Sequence, residues 1–235
     1  MTADVSRPWR HERKFRISPA QHAAAARWCR RALAPDPHAG PGGVYFIRSV
    51  YLDSIFGDDQ ADKSAGALAR RKIRLRAYSE RPETVQLERK AKFGIQNRKE
   101  RLPLPLAAAE ALMEGDLEIL LREGSETALR FYADLRARHY RPVVSVEYER
   151  EAYVLPFEDV RVTFDHAVRA SVVDFGLTGP KSMIPLFPNG DVVSEIKYNA
   201  EFPRWAANWL GAAADEVQIA VSKFGLALEP WRASE

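Results

Sequence analysis

From Lys72 to Tyr78 the chain alternates strictly, and this run constrains the fold more than any other. In an extended strand, Lys72, Arg74, Arg76 and Tyr78 fall on one face, and Ile73, Leu75 and Ala77 on the other. Thr84 to Lys92 repeats the pattern, with Gln86, Glu88, Lys90 and Lys92 sharing a face. The two runs flank a turn containing Arg81-Pro82 and predict a β-hairpin with a longer loop. Neighbouring cations on such a face stand ~7 Å apart and repel by roughly 2 kcal/mol at an effective dielectric of ~20. A surface built only for solubility would intersperse carboxylates, yet none stands between Lys72, Arg74 and Arg76.

The pattern recurs. Arg161, Thr163 and Asp165 oppose Val160, Val162 and Phe164, and Val193, Glu195 and Lys197 share another face. Strands with one charged and one apolar face need a cover on the apolar side, and the remaining sequence supplies helices. Ser18-Pro19 opens one that runs to about Leu33, with Ser as N-cap and Pro at the first position. Residues 104–121 and 125–138 predict two more, the second capped by Ser125, and Pro203 to about Leu228 a last one, interrupted at Gly211. Further strands are predicted at Glu12–Ile17, Val44–Leu52, Val143–Val154, Val160–Val168 and Val192–Tyr198. Ala34 to Gly43, with three prolines and three glycines, predicts a loop. Ser54 to Ala69 reads as a polar stretch without a strand pattern. No internal repeat or linker stands out, so the expectation is a single α+β domain over 1–235.

Composition closes several alternatives. Lysine and arginine exceed aspartate and glutamate by 35 to 32, so a purely electrostatic nucleic-acid binder is not expected. A single cysteine, Cys29, excludes an internal disulfide framework and a four-cysteine zinc site, and Cys29 reads as a small packed residue. The five histidines show no metal-ligand spacing. No run approaches 18 apolar residues, and Met1 to Arg16 lacks an apolar signal core; a soluble, cytoplasmic globular protein without a membrane segment is the expectation. If helices cover the outside of a closed sheet, the charged faces point into a lumen suited to a linear polyanion. Glu88 and Glu195 among the cations then suggest a divalent metal bridging to phosphate oxygens. Arg48 and Asp53 are ambiguous at this stage, and Trp205 with Trp209 predicts a packing face on the last helix.

Nine short motifs in order carry a family resemblance: Glu12-Arg13-Lys14-Phe15, Arg48 to Asp53, Lys72-Ile73-Arg74-Leu75-Arg76, Leu87-Glu88-Arg89-Lys90, Arg98-Lys99-Glu100-Arg101, Tyr148-Glu149-Arg150, Arg161 to Asp165, Ser194-Glu195-Ile196-Lys197 and Ser222-Lys223-Phe224. Together they resemble the catalytic domain of the vacuolar transporter chaperone (VTC) family, the polyphosphate polymerases, within the triphosphate tunnel metalloenzymes. The resemblance covers about residues 10 to 226. It implies a closed eight-stranded antiparallel β-barrel tunnel with helices packed around the outside. It also implies Arg74, Arg76, Arg150, Lys197 and Lys223 as catalytic cations. Lys14, Lys90, Lys99 and Arg161 would bind phosphates, with Tyr148 and Ser222 as hydroxyl donors, and Glu195 would hold Mn²⁺ or Mg²⁺.

Strand faces had already singled out Arg74, Arg76, Lys90, Arg161, Glu195 and Lys197; Lys14, Lys99, Arg150 and Lys223 rest mainly on the resemblance. Triphosphatase members of the superfamily carry an N-terminal Glu-x-Glu-x-Lys motif, whereas here Arg10 precedes Glu12 and Lys14. That loss weakens a second metal site and favours the polymerase reading. The expected activity is transfer of the γ-phosphoryl of ATP, or another triphosphate, to polyphosphate. A metal-dependent tripolyphosphatase or nucleoside triphosphatase and a non-catalytic polyphosphate-binding module are the alternatives.

Overall fold

Period-two burial dictates the architecture, seen here in a computed structural model that describes residues 11–40, 42–94, 96–155, 160–199, 201, 203–205 and 222–232. The strands are β1 (His11–Ile17), β2 (Ala34–Pro35), β3 (Val44–Asp53), β4 (Ala69–Ala77), β5 (Thr84–Phe93), β6 (Gln96–Pro105), β7 (Arg141–Leu155), β8 (Val160–Ser171), β9 (Ile184–Pro185) and β10 (Val192–Tyr198). The helices are α1 (Pro19–Ala32), α2 (Asp58–Ser64), α3 (Leu106–Met113), α4 (Glu118–Glu123), α5 (Glu126–Ala137) and α6 (Lys223–Arg232). The protein is therefore α+β, with a large antiparallel sheet in the order β1-β10-β8-β7-β3-β4-β5-β6, while β2 pairs β7 and β9 pairs β8. Among the described residues no ladder joins β6 back to β1, so the closed ring expected is not confirmed by the hydrogen-bonded path.

The chain divides into two compact units. The first comprises Met1–Tyr45, Tyr148–Val168 and Pro185–Ser222; the second comprises Phe46–Glu147, Arg169–Ile184 and Lys223–Glu235. In the first unit, Phe15, Ile17, Val162, Phe164, Val192 and Ile196 turn one sheet face to Ala25, Ala26 and Cys29 of α1. The predicted start of α1 is realised as a capping box: Ser18 Oγ accepts from the Gln21 N–H, and Gln21 Oε1 accepts from the Ser18 N–H. Trp205 packs on this core, stacked on Trp28 at 4.5 Å between ring centroids. Trp209, Gly211 and most of the last predicted helix lie outside the described residues.

In the second unit, Val50, Leu52, Ile73, Leu75, Val85, Leu87, Leu102 and Leu104 form the apolar sheet face under Ala109, Leu112, Leu120, Phe131 and Leu135 of α3 to α5. Burying each such large side chain contributes about 1.5–3 kcal/mol, so the apolar faces fix which way every strand is turned. Three expectations change here. The helix predicted over 104–121 is two short helices, and its first two residues belong to β6, because Leu102 and Leu104 alternate into the core. Pro103 and Pro105 are tolerated because β6 ends the sheet path. The polar stretch after Ser54 contains α2, whose N-terminal N–H groups at Asp59 and Gln60 donate to the buried Asp53 carboxylate, an upstream cap.

Candidate functional site

With the apolar faces committed to the helices, the charged faces lie opposite. In the first unit, β1 pairs β10 so that Lys14 faces Glu195 and Glu12 faces Lys197. Lys14 Nζ stands 2.6 Å from Glu12 Oε1 and 3.1 Å from Glu195 Oε2; Lys197 Nζ stands 2.5 Å from Glu195 Oε1 and 3.8 Å from Glu12 Oε2. Two ammonium groups and two carboxylates thus form a closed square. Burial alone would raise the Glu195 carboxyl, but Lys14, Lys197 and Arg150 outweigh it and hold it well below the usual carboxylate range. Burial likewise opposes charge on Lys14, and Glu195 and Glu12 overcome it, raising its ammonium above the ordinary lysine value.

On β10's other neighbour, Lys197 pairs with Arg161, and Glu195 with Thr163. Arg161 reaches Asp36 at 2.6 Å and donates to the Tyr45 hydroxyl at 3.0 Å. Arg150 grips Asp165 with both arms, Nε to Oδ1 at 2.6 Å and Nη2 to Oδ2 at 2.8 Å, and its guanidinium carbon stands 5.2 Å from the centre of the Tyr148 ring. Asp165 is fully buried and Arg150 nearly so, and such a bidentate pair fixes the guanidinium plane.

In the second unit the β4–β5–β6 register lines Arg74, Glu88 and Arg101 in one row, and Lys72, Lys90 and Lys99 in the next. Glu88 is the hub. Arg74 donates to its Oε2 through Nε at 2.8 Å and Nη2 at 2.6 Å. Lys99 and Arg101 reach Oε1 at 3.0 and 3.1 Å, and Arg76 stands 3.9 Å from Oε2 while donating to Ser49 Oγ. The carboxylate missing between Lys72, Arg74 and Arg76 is thus supplied from the next strand, which explains how adjacent cations are held. Glu88 is 2% exposed; burial would raise its carboxyl, but Arg74, Arg76 and Lys99 drive it far below the usual range.

Tyr51 Oη accepts from Arg74 Nη1 at 3.2 Å. Burial raises the phenol, yet Arg74, Arg76 and Lys72 bring it down to about 8. Lys99, lowered by burial and by Arg74 and Arg101 against the pull of Glu88, falls to about 8. Lys223 opens α6 directly after Ser222, and Phe224 stacks on Tyr51 at 5.0 Å, with the Lys72 ammonium 5.9 Å above the Phe224 ring.

The sequence-picked residues therefore fall into two groups. Lys14, Glu195, Lys197, Arg150, Tyr148 and Arg161 share the charged side of the first unit; Arg74, Arg76, Lys90 and Lys99 share that of the second. The site reading missed the anchoring partners Asp36, Tyr45 and Tyr51, and gave no role to Arg101. Arg101 could have been found from its i, i+2 spacing to Lys99, and Tyr51 from the motif that contains it. Arg48 is resolved as structural: it donates to buried Glu147 at 3.0 and 2.8 Å and to the Gly179 carbonyl.

Solved structures share this fold. A Hippeastrum protein described as a candidate adenylyl cyclase with a dominant triphosphatase activity is 13% identical, with a TM-score of 0.57 over 93% of this chain and 95% of that one. A candidate adenylate cyclase from Bacillus halodurans is 13% identical, with a TM-score of 0.51 over 91% and 95%. At that identity the likeness establishes the fold. No curated protein matches the sequence. The VTC domain model matches residues 9–231, nearly the whole chain, and the protein belongs to the VTC domain family.

Proposed function

We infer that this protein is a phosphoryl-handling enzyme acting on triphosphates, and specifically a polyphosphate polymerase that transfers the γ-phosphoryl of ATP to a polyphosphate chain. The observation that carries this reading is the Glu88 hub, where four cations within 3.9 Å share one buried carboxylate. Four cations oriented on one carboxylate suit a polyanion, and guanidinium groups bind phosphate oxygens two at a time. The closed tunnel implied by the resemblance is part of the proposal, as are the single domain and the assigned roles: Arg74, Arg76, Arg150, Lys197 and Lys223 at the transferring phosphoryl, and Lys14, Lys90, Lys99, Arg161, Tyr148 and Ser222 on other phosphates.

The chemistry needs positioning and neutralisation rather than a covalent nucleophile. An oxygen of the chain's terminal phosphate attacks the γ-phosphorus, the bond to the β–γ bridging oxygen breaks, and ADP leaves with the electron pair. Arg74 and Arg76 offset charge on the phosphoryl oxygens, and the Arg150–Asp165 grip keeps one guanidinium plane from rotating. Glu195 and Glu12, two carboxylates with no nitrogen or sulfur donor between them, fit a hard ion such as Mn²⁺ or Mg²⁺, with Lys14 and Lys197 taking the cation's place otherwise. When bound, such an ion would offset the charge that develops on the transferring phosphoryl.

A second reading, triphosphate hydrolysis with water as the acceptor, is favoured by the triphosphatase activity described for the Hippeastrum neighbour. Arg10 in place of the first acidic residue of the hydrolase motif supports the polymerase. Incubation with ATP and Mn²⁺, followed by a gel stained for polyphosphate, separates the readings. A ladder supports polymerisation, and free phosphate alone supports hydrolysis. Neither product, with tripolyphosphate still bound in calorimetry, would leave a binding module.

A further inference from the structure

Away from the charged faces, three side chains of the first unit converge in a way their spacing in sequence conceals. His22 on α1, Glu151 on β7 and His166 on β8 bring one ligand atom each within 4.8 Å of one another. Both imidazoles aim Nε2 at the same oxygen: His22 stands 3.0 Å from Glu151 Oε2 and His166 3.6 Å. The rings meet edge to face at 4.4 Å, and His22 is further held by an edge contact to Phe164 at 5.0 Å. The other carboxylate oxygen is occupied by Arg30 at 3.1 Å and by the Tyr153 hydroxyl, so Oε2 is left to the two imidazoles. These contacts fix the carboxylate's orientation in the way that outer partners fix a metal ligand. Ala167, next to His166, is held in the left-handed region at φ 47°, a conformation L-residues rarely adopt.

We propose that His22, Glu151 and His166 form a binding site for a borderline divalent cation of the Zn²⁺ class, clamping α1 to β7 and β8. Two neutral imidazoles and one carboxylate are a donor set such ions take, with a fourth position left to solvent. Bond lengths of ~2.0–2.1 Å separate tetrahedral donors by about 3.4 Å, so His22 and Glu151 would part slightly from 3.0 Å while the widest pair, within 4.8 Å, draws in by up to about 1.4 Å. The set differs in kind from the all-oxygen pair Glu12 and Glu195, which suits a harder ion. All three side chains are partly open, 11–25% exposed, and Glu151, Arg30 and Tyr153 also line a cavity of about 300 Å³.

The test uses the full-length protein without nucleotide, so it is independent of the phosphotransfer reading. Zn²⁺ titrated by calorimetry into metal-stripped protein at neutral pH is expected to bind with one strong equivalent and to raise the melting temperature. His22→Ala and His166→Ala are each expected to weaken that equivalent at least about 10-fold. Circular dichroism in EDTA checks that the variants are folded. Should either fail to fold, X-ray absorption of the zinc-loaded wild type decides, with two imidazole nitrogens expected in the coordination shell. Binding unchanged in both variants, fewer than two imidazoles, or no saturable Zn²⁺ binding would each overturn the site.

Discussion

The Glu195 group of the first unit and the Glu88 group of the second use the same ingredients to different ends. Around Glu195, Lys14 and Lys197 meet two carboxylates, and nearby Arg150 meets Asp165, so each cation has an acidic counterpart. Around Glu88, Arg74, Arg76, Lys99 and Arg101, four cations, converge on a single carboxylate. A balanced set fixes geometry and has carboxylate to offer a metal. A set of several cations converging on one carboxylate draws anions, because guanidinium groups suit the oxygens of a phosphate. Predictions that separate the two groups test whether this division of labour is real.

The largest expected effect is on stability. Arg150→Ala leaves Asp165, fully buried, without the guanidinium that held both its oxygens, and breaking such a buried pair costs about 3–5 kcal/mol. Arg74→Ala leaves Glu88 with Lys99 and Arg101 on Oε1 and is expected to cost about 1 kcal/mol. Urea denaturation of both variants measures the gap, and equal losses would break the comparison.

Next comes turnover. Glu195→Gln keeps the size and one oxygen but removes the charge that would hold a divalent ion, and Mn²⁺-dependent activity is expected to fall about 100-fold or more. Tripolyphosphate binding without metal should hold or tighten, since a repelling charge has gone. The alternative, that Glu195 only pairs with Lys14 and Lys197, requires near-normal turnover at saturating Mn²⁺. A steady-state assay beside calorimetry therefore assigns Glu195 to one role or the other.

Much of the fold was legible because its signals are local. Alternation marked the β4–β5 pair, and the start of α1 followed from Ser18 and Pro19. Ser125 caps α5 through its hydroxyl and the Ala128 N–H, as its position before the helix indicated. Other features were not legible because they depend on register. Nothing in the spacing of Lys72, Arg74 and Arg76 says that Glu88 sits beside Arg74, or that Asp165 reaches Arg150 from the next strand. The cap of α2 comes from Asp53 upstream rather than from a residue at the helix start. The His22–Glu151–His166 group, whose members are 129 and 15 residues apart in sequence order, was read as carrying no metal spacing for the same reason. Closure of the sheet was equally illegible, since alternation fixes strand faces and leaves closure undetermined.

A smaller effect sharpens the division. Arg74→Ala and Arg76→Ala are each expected to lower tripolyphosphate affinity by roughly 1–3 kcal/mol, the range for charged hydrogen bonds. Arg161→Ala should lose less, because Asp36 at 2.6 Å already offsets the Arg161 charge, whereas Arg74 shares Glu88 with three further cations. Calorimetry at fixed ionic strength makes the comparison. An Arg161 loss equal to or above the Arg74 loss would place the anion on the balanced side.

The smallest effect is a pH dependence confined to the Glu88 group. Lys99 is brought down to about 8, first by burial and then by Arg74 and Arg101, so between pH 7 and 9 it passes from charged to neutral. Its 41% exposure limits what that charge is worth, so the effect on anion affinity is expected to be ~1 kcal/mol or less, roughly fivefold. The direction is fixed: a polyanion favours protonated Lys99, so affinity falls as pH rises through about 8. Tyr51, held to about 8 by Arg74, Arg76 and Lys72 against burial, gains negative charge over the same range and acts in the same direction. The stability sign is opposite. Folded Lys99 binds its proton less tightly than an ordinary lysine near 10.5, so the unfolded chain holds more protons between about 8 and 10.5, and stability contributed by this group rises with pH there. Lys99→Arg keeps its charge at every pH in this range and Tyr51→Phe has no proton to lose. Each is expected to flatten part of the affinity profile measured at pH 7, 8 and 9, and the double variant most of it. A profile as steep in the double variant as in the wild type would assign the titration to other groups and remove Lys99 and Tyr51 from the anion-binding face.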